Sequence, residues 1–113
     1  MIKEVALKKI RLYQTESGKV PFSGWFEKLD GKTKARVQIY TERLAQGGTK
    51  KNIKPLGEGV FEAKLKFGPG LRLYFGEDGN ELIVLLLGGD KGTQDQDIKK
   101  AKMYWRDYAK TNR

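Results

Sequence analysis

The sequence predicts an α+β fold in which one strand, two helices, a three-stranded antiparallel meander and a closing helix follow in the order β-α-α-β-β-β-α. Three observations carry this. Apolar residues recur at every second position from Phe61 to Phe67 and again from Leu71 to Phe75. The run from Leu82 to Leu87 is apolar throughout, as in a strand covered on both faces. Helical spacing precedes this block over 32–46 and resumes after it from Asp95. A chain of 113 residues has the length of one domain, and its 38% hydrophobic content suffices for one modest core. No repeat, linker or low-complexity segment divides it.

At the N-terminal end, Val5 to Tyr13 alternates imperfectly, with Val5, Leu7 and Lys9 against Ala6, Lys8, Ile10 and Leu12, and reads as a first strand. After a turn at Glu16-Ser17-Gly18-Lys19, Pro21 starts a short helix. Its Phe22, Trp25, Phe26 and Leu29 fall at helical spacing and read as core. Asp30 is placed to cap a second helix from about Lys32 to Gln46, with Val37, Tyr40 and Leu44 on one face and Gly47-Gly48 as its stop. Lys32, Lys34, Arg36 and Arg43 read as the solvated face of that helix.

In the meander, Phe61, Ala63, Leu65 and Phe67 point one way, and Glu62, Lys64 and Lys66 the other. The loop Gly68-Pro69-Gly70 reverses the chain, after which Leu71, Leu73 and Phe75 oppose Arg72 and Tyr74. A second reversal at Asp78-Gly79-Asn80 leads to the apolar strand. Glu62, Lys64, Lys66, Arg72 and Tyr74 should therefore share one face, which the last helix covers at least in part. Gly88 and Gly89 read as backbone turn residues. Thr93 and Gln96 have capping-box spacing, and Asp95 and Asp97 sit where the helix dipole favours negative charge. Ile98, Ala101, Trp105 and Tyr108 trace an apolar stripe, so Trp105 reads as packing rather than base stacking. Lys99, Lys100, Lys102, Arg106, Lys110 and Arg113 make the tail strongly basic; it either touches RNA or is simply solvated.

Composition narrows the function. Lys plus Arg number 23 against 14 Asp plus Glu, a net charge of +9. Such an excess suits a nucleic acid or an acidic protein better than a neutral metabolite, because each neutralised phosphate releases condensed counterions. The alternative is that the charge only aids solubility. Cysteine and histidine are both absent, which removes thiol chemistry, the commonest metal ligand and the side chain best matched to proton transfer at neutral pH. No calcium-loop or phosphate-loop pattern appears, and no metal or cofactor is expected. The start, Met1-Ile2-Lys3-Glu4-Val5, reaches charge at once, and no apolar run approaches bilayer length. The expectation is a cytoplasmic protein with no membrane partner.

RNA offers a chemistry that needs neither histidine nor metal. Its own 2′-hydroxyl attacks the adjacent phosphate, and the protein orients the attack, moves two protons and stabilises a phosphorane-like charge. A guanidinium binds two phosphate oxygens at once, and a lysine crowded by other cations can handle protons. Arg72 is thus the candidate for the phosphate and Lys64 for phosphate contact or proton transfer. Lys91 is placed for the leaving group or a flanking phosphate, and Glu62 is a candidate base. Lys66, Tyr74 and Arg106 are candidate RNA contacts, Tyr74 by hydrogen bonding or stacking. The competing reading of Glu62, Lys64 and Lys66 is a set of cross-strand ion pairs on a solvated sheet face. Asp90 and Gln94 either brace the loop and helix start or position Lys91.

Three segments carry a family resemblance. The apolar strand empties into Gly88-Gly89-Asp90-Lys91-Gly92-Thr93-Gln94 and a helix opening Asp95-Gln96-Asp97-Ile98. Upstream stand Leu56-Gly57-Glu58-Gly59-Val60-Phe61-Glu62 and Gly70-Leu71-Arg72-Leu73-Tyr74-Phe75. In this order the segments resemble the RelE/HigB group of type II toxin-antitoxin modules, including phage-derived addiction-module killer proteins, within the RelE/ParE superfamily. The resemblance covers roughly positions 20 to 105. It implies a RelE-like domain over 1–113 and the activity of a ribosome-dependent mRNA endonuclease that arrests growth. The implied partners are the ribosome, mRNA and a cognate antitoxin, typically a helix-turn-helix protein. The resemblance also matches Arg72 to the family's strand arginine, which contacts the RNA backbone, and Glu62 to the family's glutamate. This chain has Glu62-Ala63-Lys64 where the family usually has Glu, an aliphatic residue and Arg, and Leu71 where an aromatic is usual. The related ParE branch shares the fold and poisons DNA gyrase without cutting RNA, and a degenerate toxin is the remaining alternative.

Overall fold

Period-two alternation along the middle of the chain produces a sheet, and amphipathic segments on either side of it produce the helices that cover both faces. The computed structural model describes residues 8–48, 51–80 and 82–111. In chain order the elements are β1 (Lys9–Leu12), α1 (Pro21–Phe26), α2 (Gly31–Ala45), β2 (Ile53–Gly57), β3 (Val60–Lys64), β4 (Arg72–Asp78) and β5 (Leu82–Gly89). One 3-10 turn (Lys91–Thr93) then leads into α3 (Gln94–Thr111). The Val5–Leu7 part of the predicted first strand, and Arg113, lie outside the described residues.

The sheet runs in the order β1-β5-β4-β3-β2. The expected meander is present, since β3 pairs antiparallel with β4 and β4 with β5. Two features correct the expected purely antiparallel sheet. First, β1 lies parallel beside β5, with Lys9 opposite Leu82 and Leu12 opposite Leu85, so the sheet is mixed. Second, β2 is an additional strand, antiparallel to β3. Pro55 hides it in the sequence, because proline cannot donate to a ladder; it is tolerated here because β2 is an edge strand, with a register shift between Pro55 and Gly57.

Local signals set the helix ends. Pro21 opens α1, and Asp30 Oδ1 accepts the Thr33 amide at 2.7 Å to cap α2. At the other end of α2, Gly47 adopts φ +76° while the Gly47 and Gly48 amides donate to Leu44 and Arg43 at 3.0 Å, a left-handed C-terminal stop. The start of α3 differs from the expected Thr93/Gln96 box. Here Asp90 caps the 3-10 turn, its Oδ1 accepting from the Thr93 amide at 3.2 Å while Thr93 Oγ1 accepts from the Asp90 amide.

Two cores flank the sheet. On one face Phe22, Val37 and Leu44 of the first two helices bury Ala63, Leu65, Leu71, Leu73, Phe75, Ile83 and Leu85. On the other, Ala101 and Tyr108 of α3 pack with Val60, Tyr74, Val84, Leu86 and Leu87. Leu86 and Leu87 are consecutive yet share this second face, because the β4–β5 register slips between Tyr74 and Phe75. Among the described residues no helix is long and apolar enough to cross a membrane.

Glycines decide how closely the helices approach. Gly88 and Gly89 are not turn residues but the end of β5. A β-carbon on Gly88 would collide with the Trp25 ring, and one on Gly89 with the Asp97 carboxylate. Gly76, in the middle of β4, makes the same room for Trp105, whose ring stacks on Tyr108 at 5.2 Å between centroids. Replacing Gly76 with alanine should therefore lower stability by about 1–3 kcal/mol, the usual range for forcing atoms into a packed interior. Gly24 in α1 has nothing within 4 Å of the added carbon, so Gly24→Ala should leave stability unchanged or raise it by up to ~1 kcal/mol. Urea unfolding midpoints of the two variants check this; equal midpoints would refute the Gly76 assignment.

Candidate functional site

One end of the β3–β5 sheet gathers most of the predicted site. Two cross-strand rungs run across it: Lys64, Arg72 and Gly89 in one, Glu62, Tyr74 and Leu87 in the next but one. Residues paired this way present their side chains to the same face, so Glu62, Lys64, Arg72 and Tyr74 share a face as the alternation requires. From Gly89 the chain passes into Asp90 and Lys91, and the Asp90 capping box holds the backbone there.

The corner closes at Gly70, which has φ +73°. Its carbonyl accepts from Arg72 Nη1 at 2.6 Å. The position a Gly70 β-carbon would take lies 3.3 Å from Arg72 Nη1 and 3.5 Å from Lys91 Cβ. Arg72, Lys91 and, one rung partner away, Lys64 are thus brought together. Lys64 and Lys91 are exposed, and so is Lys66 in the β3–β4 connection. Arg72 is only 5% exposed.

Beneath these cations lies a buried polar cluster. Glu62 Oε2 accepts from Gln94 Nε2 at 2.9 Å and faces Arg72 Nε at 3.8 Å, an ion pair longer than a hydrogen bond. Among the described residues, the buried side-chain atoms without a hydrogen-bond partner are Tyr40 Oη, Arg72 Nε and Tyr74 Oη. Two of the three belong to this cluster. An orphaned buried donor costs about 1–3 kcal/mol, and such atoms mark places where function competes with stability.

Tyr74 is fully buried. Burial raises the pKa of its phenol, and the nearby Glu62 carboxylate adds to the effect, so the hydroxyl stays protonated. It feels Glu62 but makes no hydrogen bond of good geometry. The expectation that Tyr74 stacks on a base is corrected: with α3 packed over it, the ring has no open face. The face is covered in part, as the apolar central strand led us to expect: Glu62 and Arg72 are each 5% exposed, whereas Lys64 and Lys66 keep the solvated character of the competing reading.

Arg106 does not join the cluster. Its Nη1 donates to Glu58 Oε1 at 2.9 Å, and Lys102 Nζ lies 3.6 Å from the same carboxylate. Glu58 sits at the β2–β3 turn, beyond the end of β3 opposite to Lys64, and β3 itself spans about 13 Å at the usual strand rise. Trp105 packs against Gly76, in keeping with the expected apolar stripe.

Two residues of the site were not assigned these contacts in the sequence. Gln94 reaches Glu62 across 32 positions of chain, a contact that no local pattern announces. Asp97, expected only as a dipole partner, is 7% exposed and accepts from Thr93 Oγ1 at 2.5 Å. Among the described residues no group of three or more Asp or Glu side chains is arranged to hold a metal ion.

Fold and site together define an α+β protein whose five-stranded mixed sheet is covered on both faces and carries a cationic corner backed by a buried carboxylate. The chain is similar to an uncharacterized protein of Haemophilus influenzae, with 41% identity over 83 residues that span 73% of this chain and 83% of that protein. It belongs to the same family as that protein. No protein-family model matches the chain.

Burial raises the Asp97 pKa above its ordinary 3.8, with the Thr93 hydrogen bond pulling the other way. The native state therefore holds a proton that the unfolded chain has released just above that pH. Asp97's contribution to stability is present at lower pH and is lost as pH rises through the interval. Asp97→Asn cannot ionise. Relative to this variant, wild type should lose stability as pH increases from 3.8, read from unfolding free energies of both proteins across the range. A difference that stays flat, or moves in wild type's favour, would refute the buried-carboxylate account.

Proposed function

We propose that the protein is a RelE-like toxin of a type II toxin-antitoxin module and that it cleaves mRNA on the ribosome without a metal. The observation that carries this is the convergence of Arg72 and Lys91 on the Gly70 corner, with Lys64 paired to Arg72 on the adjacent strand. Cations from two adjacent strands and the turn before α3 suit a phosphate better than a neutral ligand. The net charge of +9 is consistent with a polyanionic substrate. The proposed partners are mRNA, the ribosome and a cognate antitoxin, and the proposed compartment is the cytoplasm.

In the proposed reaction the 2′-oxygen bonds to phosphorus as its proton passes to a base. The bond from phosphorus to the 5′-oxygen breaks, and the leaving oxygen takes up a proton. The products are a 2′,3′-cyclic phosphate and a 5′-hydroxyl. Arg72 stabilises the charge on the non-bridging oxygens, its Nη1 side lying at the Gly70 rim of the site. Lys64, exposed on the adjacent strand, is available for phosphate contact and proton transfer. Lys91 approaches from the other side, toward the leaving group or the next phosphate. Glu62 is engaged by Gln94 and faces Arg72, an arrangement that suits holding the guanidinium rather than abstracting a proton.

A second reading, a non-catalytic inhibitor of DNA gyrase or a degenerate toxin, draws on the near-complete burial of Arg72. Inducible expression without an antitoxin, followed by primer extension on a highly translated mRNA, separates the readings. The expected result is growth arrest with translation-dependent cuts, and a loss of about a hundredfold or more in cleavage for folded Arg72→Ala. Arrest with intact mRNA would favour the gyrase reading, and no arrest the degenerate toxin. Cuts that persist unchanged in folded Arg72→Ala would overturn the site assignment.

A further inference from the structure

We propose that Gln94 is a positioning residue that sets the orientation of Arg72 through Glu62; this deepens, and rests on, the nuclease reading above. The path is short. Gln94 Nε2 donates to Glu62 Oε2 at 2.9 Å, and that same oxygen faces Arg72 Nε at 3.8 Å. On its other side the guanidinium is held by the Gly70 carbonyl at 2.6 Å. The guanidinium is thus suspended between a loop carbonyl and a carboxylate whose direction Gln94 dictates.

The chemistry of the amide fits this task. A neutral donor fixes the carboxylate oxygen without cancelling the negative charge that Arg72 faces, as a lysine in its place would. Gln94 also opens α3 directly after the turn that carries Lys91. The segment between them is braced twice, by the Asp90/Thr93 box and by Thr93 Oγ1 donating to Asp97 at 2.5 Å. One rigid stretch of five residues therefore places Lys91 on one side of the site and orients Arg72 from the other. Arg72 Nε has no hydrogen-bond partner, so Glu62 is close enough to steer the guanidinium and not close enough to pin it. An oriented group of this kind is what transition-state stabilisation requires, since small misplacements of a charge-bearing donor lower the rate far more than the affinity.

The competing explanation is that Gln94 does no more than satisfy a buried carboxylate. The kinetics and the Arg72 resonance of Gln94→Ala separate the explanations, and exchanging the two side chains tests whether the charge must sit beside Arg72. The double variant Glu62→Gln with Gln94→Glu keeps an amide-carboxylate hydrogen bond between the same positions but moves the negative charge away from Arg72. If Gln94 positions Arg72, the exchange recovers folding stability without recovering cleavage. For Gln94→Ala, assayed with mRNA programmed on purified ribosomes, kcat should fall about tenfold or more while KM stays within about twofold. The NMR resonance of the Arg72 Nε–H group should shift in Gln94→Ala without any RNA present. Wild-type kcat in Gln94→Ala, full activity in the exchange variant, or an unmoved Arg72 resonance would each overturn the proposal. A wild-type protein that cuts no RNA, with a Gln94-sensitive Arg72 resonance, would overturn the nuclease reading and uphold the coupling of Gln94 to Arg72.

Discussion

The close seating of α3 across β3, β4 and β5 is the constraint on which the rest of the structure depends. It places Ala101 and Tyr108 against a surface that includes Val60, Val84, Leu86 and Leu87. It is possible only because two strand residues facing it lack a side chain: Gly76 admits the Trp105 ring and Gly89 admits the Asp97 carboxylate. Hydrophobic burial drives this docking, but the covered face also carries Glu62, Arg72 and Tyr74. The helix must therefore supply polar partners as well as apolar ones. Gln94 does so for Glu62, and the remaining orphaned atoms of Arg72 and Tyr74 measure how incompletely the demand is met.

Much of this was legible in the residues. Strict alternation through β3 and β4 showed that Glu62, Lys64, Arg72 and Tyr74 share a face, because parity in a strand needs no tertiary information. Asp30, Gly47 and Pro21 announced helix ends by local chemistry, and the α3 stripe announced its buried side. The features that escaped depend on the third dimension. Pro55 masked β2 because its tolerance rests on being at the sheet edge. The parallel placement of β1 joins residues more than 70 positions apart. Consecutive leucines at 86 and 87 gave no sign of a register slip that turns both to one side. Gly88 and Gly89 looked like a turn because glycine pairs usually are, whereas here two bulky neighbours require them.

The site divides along the same line. Which side chains face together was readable; how deep they lie was not, since depth is set by a helix contributed from elsewhere in the chain. Arg106 stands apart from this corner. Its charge suggested a polyanion contact, yet Glu58, at a turn with φ +57°, holds it at the far end of β3. Of the basic residues on α3, Lys102 and Arg106 are both drawn to this one carboxylate. A surplus of positive charge in the sequence is therefore not the same as a continuous basic surface.

The order of synthesis gives the α3 docking a consequence for the nascent chain. Every described strand of the sheet precedes α3, so the residues that roof its second face are the last of these elements to be made. Until they emerge, Tyr74, Val84 and Leu86 form an uncovered apolar strip beside unscreened Glu62 and Arg72, a surface prone to sticking to other chains. The final turn and helix also bring Lys91 and Gln94. A growing polypeptide therefore lacks the finished site while its sheet is vulnerable, and acquires burial and site geometry together when the helix closes.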